Sequence, residues 1–294
     1  MNKNFFLLIT MIFLNAMVTS CHDELDRVPL SNLAPETFFN DLVESEIVLN
    51  GIYDKMAYHY QQNFIYMSDH GSHVATMLFN NPLLNLYAWY TFDNTDRFVR
   101  DTWGYAYEVI YGSNLVINRV GQLETDDDLL KNRIIAEAKF LRALAYFNLV
   151  RFYGDVPLHL EELNDFENSD SVNKPRTSTS IIYEAIIDDL IFAEEHLYFA
   201  SWVSDDSKPS YQIDDLGRAT IGAAKGLLAK VYLTRASFPE RNLDSYQLAF
   251  DKAKEIIDDA RYIIDPDYYN LNSLEGKTSH EWMFQIQYSV IGQQ

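Results

Sequence analysis

Four aromatic rings fall within six positions at Tyr87-Ala88-Trp89-Tyr90-Thr91-Phe92, and they are the side chains here with the most to offer a ligand. An exposed flat ring stacks on the C–H face of a sugar, and a tyrosine hydroxyl bonds sugar hydroxyls, because Tyr and Trp join an apolar body to a polar tip. In extended backbone Tyr87 and Trp89 point one way, and Tyr90 and Phe92 the other. One side can then enter the core while the other stays exposed. Tyr87, Trp89 and Tyr90 are the candidate ligand-binding residues; the competing reading places all four rings in the core.

Other groups offer less. Asp69-His70-Gly71-Ser72-His73 puts two imidazoles and a carboxylate close in sequence. A metal centre needs three or four ligands, and no further His or Cys lies nearby, so the segment reads as a polar loop and no metal is expected. Gly217-Arg218-Ala219-Thr220-Ile221-Gly222 has a phosphate-loop flavour, but Ala223 and Ala224 stand where Lys and Ser/Thr must follow. There is no Gly-x-Ser-x-Gly elbow. Carboxylates are too abundant for any two to be singled out as a glycosidase pair. Neither an enzyme nor a cofactor is expected. Asn114 interrupts an apolar helix face; a buried amide without partners is costly, so it should hydrogen-bond a neighbouring backbone.

The sole cysteine, Cys21, closes an apolar run from Phe5 to Val18 that Lys3 precedes. The run is short for a membrane span and has the length and charge of an export signal. Val18-Thr19-Ser20-Cys21 resembles the lipobox of a bacterial lipoprotein, which implies cleavage before Cys21 and acylation of that residue; an ordinary signal peptide is the alternative. Residues 1–20 are then the signal and 21–36 a lipidated tether, kept extended by Pro29 and Pro35. His22-Asp23-Glu24-Leu25-Asp26 is either a solvated stretch or resembles the acidic signal that sends some lipoproteins to the outer face of the outer membrane. Net charge is −20, and loss of Lys3 makes it −21. That excludes nucleic acid, whose phosphates demand Lys and Arg, and a basic lipid-binding face. Membrane attachment falls to the acyl chains, at about 0.8 kcal/mol per buried CH₂.

Helices must position these groups. Apolar stripes at the helical period predict helices over 37–60, 102–121, 127–152, 179–197, 218–237 and 245–260. The clearest stripe is Leu130, Ile134, Ala138, Leu141, Ala145, Leu149 and Phe152, with Phe140, Leu144 and Phe147 beside it, so the 127–152 helix should be covered on two sides. Gly154 and Pro157 end it. Tyr246, Ala249, Ala253, Ile256 and Ala260 form the buried face expected for the last helix, with Asp244 or Ser245 as its cap. Residues 61–100 lose the period and read as an irregular insertion with short strands, the kind of long loop that is usually functional. Glu281 to Tyr288 alternates weakly and reads as a strand. Short joints at 121–127 and 238–244 favour helices packed side by side. The fold expected for 37–294 is mainly α, a tetratricopeptide-like stack with degenerate repeats.

These pieces together resemble the SusD/RagB family of outer-membrane nutrient-binding lipoproteins. The resemblance rests on Trp103, Ile110 and Asn114 in one helix and on Ala136-Glu137-Ala138-Lys139-Phe140-Leu141-Arg142-Ala143, continuing through Tyr146 and Phe147 to Gly154-Asp155-Val156-Pro157-Leu158. It extends through Pro175-Arg176, Ile182-Tyr183 and Asp189-Leu190, then Gly217-Arg218-Ala219-Thr220, Leu228-Ala229-Lys230-Val231-Tyr232-Leu233 and Glu281-Trp282-Met283-Phe284. It implies a helical scaffold on a SusC-like TonB-dependent transporter, capturing oligosaccharide, or peptide as in RagB-like relatives, at the cell exterior without breaking a bond. A docking subunit that binds no nutrient is the alternative. Family members are much longer, so the chain corresponds to their N-terminal part.

Overall fold

The computed structural model describes residues 38–72, 75, 82–163, 169–203, 207–237, 239–273 and 275–288. Cys21, the signal, the tether and His73 lie outside them. The chain divides into two units, Met1–Phe39 and Asn40–Gln294, and every described helix belongs to the second.

Helix α1 spans Leu42–His59, where the Asp41 carboxylate accepts from the Glu44 N–H at 2.9 Å and so satisfies one of the open donors of the first turn. Short helix α2 (Gln62–Ile65) leads into a π-helical turn at Tyr66–His70, and α3 covers Pro82–Ala88. The long helices α4 (Arg97–Gln122) and α5 (Asp128–Tyr153) follow, capped by the carboxylates of Asp96 and Asp127. Val156–Pro157 (β1) pairs antiparallel with Arg176–Thr177 (β2), either side of the short helix α6 (Ser169–Val172). Then come α7 (Thr179–His196), α8 (Ile221–Ala236) and α9 (Ser245–Asp259).

The six long helices pack in chain order: α1 on α4, α4 on α5, α5 on α7, α7 on α8 and α8 on α9. This is the mainly α, stacked-helix fold the periodicity predicts. Each helix buries its stripe against the one before and the one after. Helix α5 also touches α1 and α8, which is why nearly every residue from Arg133 to Val150 is buried and why its sequence carries two apolar stripes. Gly154 ends it at φ 67°, a left-handed conformation open to glycine without penalty.

Four expectations change. The 61–100 segment holds helical turns rather than short strands where it is described, and from those turns Tyr66, Leu86 and Tyr87 pack together with Phe98. The terminal helix α9 has α8 as its main neighbour, so only Ser245 and Ala249 are buried while Tyr246 and Ala260 are exposed. Asp244 precedes α9 without a side-chain capping bond. Glu281–Tyr288 runs without a strand partner among the described residues. It is held instead by side chains: Thr220 donates to the Met283 carbonyl at 3.0 Å, Phe284 meets Phe140 edge-on at 5.1 Å, and Tyr288 donates to the Ala57 carbonyl at 3.0 Å. Among the described residues no helix is long and apolar enough to cross a membrane.

Candidate functional site

The aromatic cluster is split by a turn. Helix α3 ends at Ala88, and Trp89 and Tyr90 form the turn after it. Tyr87 on the helix points into the protein and is fully buried. Its ring stacks on Phe92 (4.7 Å, 15°) and tilts against Phe98 at 6.0 Å, and its hydroxyl donates to Asp96, the cap of α4. Burial, and then the Asp96 carboxylate, push the Tyr87 phenol well above its ordinary value, so it stays a neutral donor. The face that was to offer Tyr87 to a ligand is therefore occupied by protein. Extended backbone would have put Tyr87 with Trp89; the helix pairs it with Phe92 instead.

Trp89 is 69% exposed and Tyr90 61%. Tyr90 sits at φ 54°, left-handed for a residue with a β-carbon, and its hydroxyl donates to the Gly71 carbonyl at the end of the π-helical turn. A bulky residue rarely adopts this conformation unless its surroundings enforce it. Here the Tyr87–Phe98 cluster and the Gly71 bond enforce it. The turn thus presents one large ring, Trp89, on a rigid base, and a tethered second ring beside it in sequence.

The buried charged residues serve the scaffold. Glu137 of α5 is completely buried and accepts from Tyr53 of α1 at 2.7 Å, from Tyr211 and Arg218 at 3.1 Å each, and from Arg133 at 2.5 Å. Arg133 also binds Glu46, and Arg218 binds Asp215 at 2.9 Å. The Tyr53 hydroxyl accepts from the Ala219 N–H at 2.9 Å. Burial, and then the Glu137 charge, raise Tyr53 and Tyr211 well above the usual phenol range. Burial alone would lower Arg133 and Arg218, but Glu137 and their other partners overcome it and hold both above the usual guanidinium value. Both phenols therefore stay neutral and both guanidiniums charged. A buried carboxylate is tolerated only when paired and hydrogen-bonded, and this one joins α1, α5 and the 211–219 segment.

A second buried pair lies just over one turn further along α5. Arg142 meets Asp189 of α7 through two bonds of 2.7 Å, and its guanidinium also donates to Asn114 of α4 at 2.6 Å and to the Leu160 carbonyl at 3.0 Å. Asn114 donates to the carbonyls of His159 and Glu161 at 3.0 and 3.1 Å. The backbone role expected for it holds, and Arg142 is the partner that sequence reasoning missed. Gly217-Arg218-Ala219-Thr220 is likewise structural: Gly217 turns at φ 98°, and Thr220 caps α8.

An ordered helical stack that shows aromatic rings on an outer turn defines a scaffold protein with a surface suited to ligand contact. Residues 25–233 match the SusD-like_3 family, described as starch-binding and associating with the outer membrane, and the chain belongs to this SusD-like family. Over 280 residues it is 29% identical to "SusD-like protein P2" of Formosa agariphila, covering 90% of this chain and 49% of that one. Among solved structures it resembles one determined with xylogluco-oligosaccharide (25% identity, TM-score 0.66, 85% of this chain and 47% of that one). It also resembles a laminarin-binding SusD-like protein (28% identity, TM-score 0.58, 73% and 43%). The chain spans about half the length of these relatives.

Proposed function

We propose that this chain is part of a cell-surface glycan-binding lipoprotein that passes captured oligosaccharide to a SusC-like TonB-dependent transporter. Membership of the SusD-like family carries the reading, and the exposed Trp89–Tyr90 turn gives it a physical contact point. A sugar's C–H face covers the Trp89 ring, displacing water from both, and the polar tips of the rings meet its hydroxyls. Acyl chains on Cys21 hold the protein at the outer membrane, facing the exterior, so that ligand is concentrated at the transporter instead of diffusing off with its receptor. The reaction is capture and handover, with no bond broken and no cofactor.

Isothermal titration against starch, laminarin and xyloglucan oligosaccharides tests the binding role, with measurable affinity for at least one expected. A protein that binds none of these, nor any other glycan or peptide, is at most the docking subunit. Cys21→Ala tests the anchor: the variant should leave the membrane fraction, and if it stays the acylated tether is not what holds it.

A further inference from the structure

A second cleft, lined by neither Trp89 nor Tyr90, opens between the end of α1 and the start of α4. Its volume is about 520 Å³, within the range of small-ligand sites, roughly 300–1,000 Å³. Tyr58 at the end of α1 and Tyr105 of α4 lie face to face at 6.2 Å and 27°. Tyr58 remains 43% exposed and Tyr288, at the cleft's edge, 51%. Gln61, Asn63, Ile65 and the opposite charges of Arg97 and Asp101 complete the wall.

The chemistry of this lining is selective. Four tyrosines, Tyr60 among them, give apolar faces with hydroxyl tips. Gln61 and Asn63 each carry amide donors and an acceptor, and Arg97 offers a planar fork of donors. Among the described residues none of these three side chains hydrogen-bonds within the protein, so their polar groups are open to a ligand. Such a wall suits a neutral molecule rich in hydroxyls with alternating apolar faces. It suits an apolar helix or a lipid poorly, because either would bury the amides and Arg97 without hydrogen-bond partners. The wall is also preset. Tyr60, on the same rim, accepts from Asn148 at 2.8 Å and packs on Phe64 at 4.5 Å, while Tyr288 is tied to the Ala57 carbonyl.

We infer that this tyrosine-lined cleft is a second carbohydrate subsite, taking one or two sugar rings of a glycan chain. The inference rests on the glycan-binding reading, but its failure can be told apart. Retention on native gels containing starch, laminarin or xyloglucan is compared for the wild type, Trp89→Ala, Tyr58→Ala and the doubly substituted Asn63→Ala/Arg97→Ala. Among the described residues Asn63 and Arg97 make no hydrogen bond to the fold, while the Arg97 guanidinium lies over the Phe98 ring at 4.5 Å, so the melting temperature of the double variant is measured beside the gels. Both cleft variants should bind about fivefold or more weakly to the glycan that retards the wild type. If the wild type and Trp89→Ala differ while both cleft variants migrate as wild type, the cleft is no subsite and the glycan reading stands. If no glycan retards the wild type, both readings fall.

Discussion

The buried network around Glu137 and Arg142 and the exposed turn at Trp89–Tyr90 are opposites in every physical respect. The first is rich in charge and inaccessible. Glu137 and Arg142 lie five residues apart on α5, and each already has its protein partners. The second is nearly uncharged and exposed, and its Trp89 ring has an open face. The contrast teaches that the residue types most often recruited for catalysis or binding are here the mortar of the scaffold, and that the large rings left open to solvent sit on a turn, where we propose that ligand is met. A charged network of this kind penalises mispacking, since a helix that slipped out of place would leave Glu137 or Asp189 buried without its donors. Substitutions at the turn should then leave the stack undisturbed.

Substitutions should break this contrast in a graded way. The largest effect is expected at Glu137→Gln, which leaves Arg133 and Arg218 buried with reduced compensation. A loss of about 3–5 kcal/mol is expected, read from urea unfolding; a loss under about 1 kcal/mol would mean that Glu46 and Asp215 alone suffice.

His59 comes next. It is completely buried beside Asn148, whose amide lies 3.1 Å from its Nε2, and burial lowers its pKa to about 4. The unfolded chain binds this proton near pH 6.5 while the folded one refuses it. Stability contributed by neutral His59 is therefore complete above pH 6.5 and is lost as pH falls from 6.5 to 4, by about 3 kcal/mol. The wild type should lose that much more than His59→Gln over this interval, and parallel pH profiles would refute the assignment.

Asn114→Ala removes two bonds to loop carbonyls and one acceptor of Arg142, with an expected loss of about 1–3 kcal/mol in the same unfolding measurement. Trp89→Ala should change stability least, within about 0.5 kcal/mol, because its ring packs on little. A melting temperature that falls sharply in this variant would show the turn to be part of the core after all.

How much of this was legible in the sequence depends on the same contrast. Helices α5, α7 and α8 were readable to within three residues, and α4 apart from its first turn, because stripes such as Ile134–Ala138–Leu141–Ala145 answer to one geometric rule. Asn114 was readable because a lone amide on an apolar face has to be satisfied. Its partner Arg142 was not, since no local pattern links residues on separate helices that meet only in the folded state. The fate of Tyr87 and Trp89 was lost for a related reason. Their separation by two positions puts them on one side of a strand, but α3 ends between them, and that stop depends on the tertiary cluster of Tyr66, Leu86 and Phe98. The exposed face of α9 was misjudged because periodicity shows that a helix has an apolar stripe, whereas the neighbours decide how much of it is covered.

If glycan recognition resides in exposed rings and not in the buried polar network, the dissociation constant of Trp89→Ala reports on it most directly. It is measured by titration with the glycan that binds the wild type. Affinity should weaken roughly tenfold or more, as for truncation of a central aromatic contact, in a protein that unfolds at the wild-type temperature. Unchanged affinity in that folded variant would contradict the assignment of recognition to the turn.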